Sequence, residues 1–108
     1  MTMTKLQEYS FQIIASAGDA KASAYEALRA AKKHDRKAYE ENIENAEKNM
    51  NDAHKIQFEL LTAEANNELK DVNFSILLVH AQDHLMTVMS TIELIKEISE
   101  IYLNGKDN

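Results

Sequence analysis

Residues 74–103 read FSILLVHAQDHLMTVMSTIELIKEISEIYL, and this stretch decides the fold. Its apolar residues recur every three or four positions, the period of an α-helix and not the alternation of a strand. One stripe runs through Phe74, Leu78, Ala81, Leu85, Val88, Ile92, Ile95 and Tyr102. It predicts the face that packs on the rest of the protein. A second stripe, Ile76, Val79, Asp83, Ser90, Leu94 and Ile101, lies on a face turned well away from the first. A small bundle has nothing of its own to cover this second stripe, so it predicts self-association of the helix around a rotation axis.

Working outward, the rest of the chain is helical by residue type. Proline is absent and glycine occurs only at Gly18 and Gly105, which leaves almost none of the residues that turn strands into hairpins. Polar breaks at Lys33-His34-Asp35 and over residues 66–71 predict three helices, roughly 4–33, 36–66 and 72–104. Asp35 and Asp71 are the expected N-caps, and Gly105 the expected left-handed stop after the third helix. Short links make successive helices antiparallel, so the expected fold is all-α, an up-down-up three-helix bundle. In the middle helix the predicted buried stripe is Ile43, Ala46, Met50, Ala53, Gln57, Leu60 and Leu61, with Glu40, Glu41, Glu44, Glu47 and Lys48 solvated. Gly18 lies inside the first helix, where it costs about 1 kcal/mol relative to alanine, and predicts close packing or a kink.

Composition narrows the function classes. A chain of 108 residues holds one core, so residues 1–108 are expected to form a single domain. There is no cysteine, which excludes disulfides, thiolate metal sites and cysteine nucleophiles. The formal net charge of −6 repels nucleic acid and anionic lipid and suits a basic protein partner. No stretch approaches the roughly 20 apolar residues of a membrane span, and no leader pattern opens the chain, so a cytoplasmic protein without membrane insertion is expected.

The chemistry concentrates in His80-Ala81-Gln82-Asp83-His84-Leu85-Met86-Thr87, where residues 80, 83, 84 and 87 share one helix face. A neutral imidazole at His80, beside the second stripe, is a competent nucleophile near neutral pH and suits phosphoryl transfer, with His84 and Thr87 nearby as donors. Asp83 occupies a core-type position of the second stripe. Copies of it converging on an axis must be protonated, paired with cations or bound to a shared metal, for which Mg²⁺ is the hard-oxygen candidate; otherwise Asp83 sits at a wet rim. H-x-x-D-H also parallels the H-x-x-E-H zinc peptidase pattern, but a chain this short offers little room for a third ligand and a cleft. His34 reads as a solvated link residue and His54 as a mid-helix hydrogen-bonded one. Tyr9, Tyr25 and Tyr39 read as core-edge or solvent-facing, and the methionines as gap fillers.

At this cluster the sequence resembles the lactose/cellobiose-type IIA family of the phosphoenolpyruvate-dependent sugar phosphotransferase system. Residues 77–87, LLVHAQDHLMT, look like its signature helix, and Ala15-Ser16-Ala17-Gly18-Asp19-Ala20 with Ala53-His54-Lys55-Ile56-Gln57 resemble its two upstream motifs. The resemblance implies a homotrimer of three-helix subunits, nine helices joined through the third. It implies that His80 takes a phosphoryl group from the phosphocarrier HPr and passes it to a cysteine of the IIB component, with His84 and Gln82 in supporting roles. It also implies that Asp83 of all three chains holds one metal ion, taken as Mg²⁺. Ala81 looks closer to cellobiose/chitobiose-type members than to lactose-type ones, which carry glycine there. Two other readings stand beside this one: from a different class, a purely structural trimeric helical assembly module; and, nearer, a histidine phosphotransfer module, which also puts a histidine on an all-helical surface but usually shows H-x-x-K-G where this chain has Asp83.

Overall fold

The computed structural model describes residues 4–69 and 76–105. Three helices, α1 (Lys5–Lys32), α2 (Arg36–Ala65) and α3 (Ile76–Asn104), make up almost all of this, with no strand among the described residues. The expected cap at Asp71 and the first stripe position, Phe74, lie outside the described residues.

Each start has a local cause. Thr4 caps α1 through a capping box, its hydroxyl accepting from the Gln7 amide at 3.2 Å while the Gln7 side chain accepts from the Thr4 amide at 3.0 Å. Asp35 caps α2 as expected, accepting from the Ala38 amide at 3.1 Å. The stops of α1 and α2 use no glycine. α1 ends with the His34 amide donating to Ala31 O at 2.9 Å and the Asp35 amide to Ala30 O at 3.0 Å. α2 ends the same way, with Asn67 donating to Glu64 O at 3.1 Å and Glu68 to Ala63 O at 2.9 Å. Both are Schellman stops. The left-handed position is filled by His34 (φ 60) and Asn67 (φ 57), non-glycine residues. Gly105 is not left-handed; its amide donates to Ile101 O at 3.0 Å and simply extends the helical pattern.

Cross-links fix the direction of the helices. Between α2 and α3, Arg36 pairs with Asn104, Glu47 with Lys96 and Gln57 with Gln82. Numbers rise in one helix as they fall in the other, so the two are antiparallel. Asn45 donates to Ser23 at 2.8 Å, which ties α2 to α1 across their short link. The result is the expected up-down-up bundle, 61 × 23 × 18 Å. α1 is the central element: it packs closely on both other helices, which touch each other much less. Its buried side is nearly all alanine, Ala17, Ala20, Ala24, Ala27, Ala30 and Ala31, small side chains that let two helices approach one.

The predicted stripes hold with a few shifts. Leu78 is half-buried, while Ala81, Leu85, Val88, Ile92 and Ile95 of α3 and Ile43, Ala46, Met50, Ala53 and Leu60 of α2 form the core with Ile13. Tyr102 is exposed, and the fully buried residue at that level is Ser99. An α-helix drifts against a seven-residue repeat, so the position seven beyond Ile95 has rotated off the core face while Ser99 has rotated onto it. Leu61 is exposed because Leu60, one residue and about 100° away, holds the core position. Tyr39, expected at the edge, is buried. α1 runs unbroken through Gly18.

Candidate functional site

The core register of α3 places the site. Ala81, Leu85 and Val88 are sealed against the other helices, which leaves His80, Asp83 and Thr87 on the exposed side with His84 half-buried beside them. The rings of His80 and His84 lie nearly parallel, 15° apart with centroids at 6.2 Å, as expected for one helical turn. Thr91 donates its hydroxyl to Thr87 O at 2.9 Å, which saturates that carbonyl within the helix.

Consecutive residues fan out from the signature helix in three directions. Gln82 turns to α2, where its side-chain carbonyl oxygen accepts a hydrogen bond from the Gln57 side-chain amide. Asp83 points away from the bundle and is exposed. His84 turns to α1, with Nε2 3.9 Å from where a Cβ on Gly18 would stand. Gln82 follows His80 by two residues, about 200° around the helix, so within one chain the two sit on nearly opposite flanks. The three motifs of the sequence thus converge on one level of the bundle. Neither Gln57 as the partner of Gln82 nor Gly18 as the neighbour of His84 was legible from helix periodicity, since each contact crosses between helices.

The outer stripe of α3 is uncovered. Ile76 is 78% exposed, Leu94 62% and Ile101 73%, with Val79 and Ile98 also exposed. Asp83 and Ser90 lie in the middle of it. His80 borders this stripe on the α1 side. His54 is half-buried on the other flank of α3, in a groove between α2 and α3 that it shares with Met50, Met89 and Ile92. His34 is exposed at the far end of the molecule, next to the α1–α2 link. Among the described residues no three His, Cys, Asp or Glu side chains gather as a metal site, so the third ligand that the zinc reading needs is not found among them. No helix among the described residues is long and apolar enough to cross a membrane.

Charged groups elsewhere brace the bundle. Lys96 donates to Glu47 at 2.7 Å, and that hydrogen bond holds the Lys96 ammonium above its ordinary pKa. Tyr39 lies close by; burial raises its phenol above the usual value. These groups sit toward the end away from His80 and serve the α2–α3 contact.

Comparison with known proteins finds relatives of the same fold over nearly the whole chain. Residues 8–103 match the family described as "PTS system, Lactose/Cellobiose specific IIA subunit". The chain is 40% identical over 105 residues to the "PTS system lactose-specific EIIA component" of Staphylococcus epidermidis, covering 97% of this chain and 99% of that one. It is 37% identical over 98 residues to the "Lichenan-specific phosphotransferase enzyme IIA component" of Bacillus subtilis, covering 91% and 87%. Among solved structures, the PTS cellobiose-specific enzyme IIA from Bacillus anthracis is similar with a TM-score of 0.87 and 37% identity, over 98% of this chain and 97% of that one. A chain of the IIA(Chitobiose)-HPr complex of the Escherichia coli N,N'-diacetylchitobiose branch gives a TM-score of 0.79 and 34% identity, over 94% and 97%. With the family matched from the first turns of α1 to the end of α3, the chain belongs to the lactose/cellobiose-specific IIA subunits of the phosphotransferase system.

Proposed function

We propose that this chain is a phosphocarrier in which His80 accepts a phosphoryl group from HPr and passes it to a cysteine of the IIB component, driving uptake of a sugar. The observation that carries the reading is the position of His80: exposed on a helix whose register is fixed by sealed core residues, with a second imidazole one turn away. In the loading step a ring nitrogen of His80 gives its lone pair to phosphorus as the bond to the donor breaks, and the site returns to its resting state when a thiolate sulfur takes the phosphorus and the N–P electron pair goes back to the ring. Such transfers need alignment and charge stabilisation more than covalent assistance. A rigid helix supplies the first; His84, through a ring N–H, supplies part of the second. An HPr complex is the state in which one similar structure was solved, which supports HPr as the donor.

The trimer belongs to the same reading. The uncovered stripe of α3 is the surface that three copies would bury, and it borders His80. Because Gln82 sits on the opposite flank of its own helix, a supporting contact from it would reach the His80 of a neighbouring copy. Asp83 would lie in the buried seam, where three carboxylates of hard oxygen chemistry fit one Mg²⁺; the ion would supply the charge that lets them approach. A β-linked disaccharide of the cellobiose/chitobiose type is favoured by Ala81. The decisive experiment is incubation with phosphoenolpyruvate, enzyme I and HPr, followed by mass measurement. One phosphate per chain is expected, and none in His80→Ala. A trimer that takes no phosphate would instead identify a structural assembly module, and labelling without His80 would end the assignment.

A further inference from the structure

Packing does not explain the glycine at position 18. α1 is continuous through it, its φ is negative, and a Cβ added there would meet His84 Nε2 at 3.9 Å, an ordinary contact. Alanine would therefore fit, and it would stabilise the helix interior relative to glycine. The atom facing the gap is chemically particular. His84 is half-buried, makes no hydrogen bond among the described residues, and lies parallel to the ring of His80 one turn away. A locally unfavourable residue with no packing reason, opposite a ring nitrogen that has no hydrogen-bond partner among the described residues, is the signature of a site and not of a core.

We propose that Gly18 is a positioning residue that keeps open the space in which an oxygen of the phosphoryl group on His80 reaches Nε2 of His84. This rests on the phosphocarrier reading above and adds to it a residue of α1. An acceptor oxygen hydrogen-bonded to Nε2 stands about 2.9 Å from it. A carbon and an oxygen not bonded to each other need about 3.3 Å between them. With a methyl carbon at 3.9 Å from Nε2, every acceptor direction within roughly 55° of the line to that methyl is closed. Glycine leaves that cone open. The methyl would also strip water from the same nitrogen, so it would act on the phosphorylated state without disturbing the resting fold.

The test is a double-mutant cycle on the full chain, with Gly18→Ala, His84→Ala and the pair, read by thermal unfolding and by transfer from phospho-HPr. Gly18→Ala is expected to unfold at a higher temperature, yet to transfer roughly tenfold more slowly at saturation with KM for phospho-HPr unchanged, the scale of weakening one stabilising donor. In the His84→Ala background the same change is expected to leave the rate unaltered, because the donor it obstructs is gone. Three results overturn the proposal: an undiminished rate in Gly18→Ala, a tenfold loss that persists without His84, or a lowered unfolding temperature, which would mean that the methyl is not accommodated. A wild-type chain that takes no phosphate on His80 would refute the phosphocarrier reading, and this proposal with it; failure of this proposal alone leaves wild-type labelling intact.

Discussion

Replacing Leu94 by lysine tests whether the uncovered stripe of α3 is the assembly seam. Leu94 is 62% exposed in the single chain and lies on the face opposite the sealed core. Fully burying a leucine side chain is worth about 1.5–3 kcal/mol, so burying the exposed part in a seam contributes about 1–2 kcal/mol per copy. Three symmetry-related copies each lose this, roughly 3–6 kcal/mol per trimer, which weakens association by about 10² to 10⁴ at 1.4 kcal/mol per tenfold. Bringing three ammonium groups together on an axis adds to the loss, since unpaired charge resists desolvation. Sedimentation equilibrium over a range of protein concentrations reads the effect directly. The wild type is expected to be trimeric and Leu94→Lys largely monomeric, with Gln12→Lys, the same charge change at an exposed position of α1, behaving as wild type. A Leu94→Lys protein that remained fully trimeric would show that this stripe is not the contact, however apolar it is.

Ser99 carries the one buried side-chain oxygen without a hydrogen-bond partner among the described residues, at 0% exposure in the α3 core. Removing an unsatisfied hydroxyl and gaining helix propensity together predict that Ser99→Ala is more stable by about 1–2 kcal/mol, seen as a higher urea midpoint with unchanged slope; destabilisation instead would mean that the hydroxyl makes a needed bond. Tyr39 and Lys96 both hold their protons more tightly in the folded chain, the first through burial and the second through its hydrogen bond to Glu47. Raised values mean that their contribution is complete below the ordinary values of 10.0 and 10.5 and is lost as pH rises through the folded ones, so stability is expected to fall above about pH 10, less steeply in Tyr39→Phe. Equal alkaline slopes in the two proteins would remove Tyr39 from that account. Asp83→Leu is expected to abolish Mg²⁺ binding by the assembled protein and leave the trimer equally or more stable, because replacing buried charge by packed apolar surface is often neutral or favourable. A sharp drop in its unfolding temperature would assign Asp83 another contact.

The fold was legible because its signals are local. Period, polar breaks and the lack of turn residues gave three helices, and observed ends fall within a few residues of the expected ones wherever the chain is described. The cap at Asp35 was legible for the same reason, since a carboxylate and the amide it accepts from are three residues apart. The stops were not: a left-handed residue is favoured by glycine but permitted to His34 and Asn67 when the Schellman bonds repay the strain. Leu61 was misplaced by one step around the helix and Tyr102 by the drift of a seven-residue repeat, which periodicity resolves poorly near the end of a stripe.

The sequence by itself determined that this is a helical bundle, that α3 has two apolar faces, and that His80, Asp83 and His84 share an edge of it, because each follows from spacing along one chain segment. Only the tertiary structure decided which way the neighbours of that edge turn. Gln82 goes to Gln57 on α2, Asp83 goes outward, and His84 goes to the open backbone at Gly18. Those partners are 25 and 66 positions away along the chain. Contacts at such separation are set by how helices dock and in what register, a property of packed side chains that no pattern within a single helix contains.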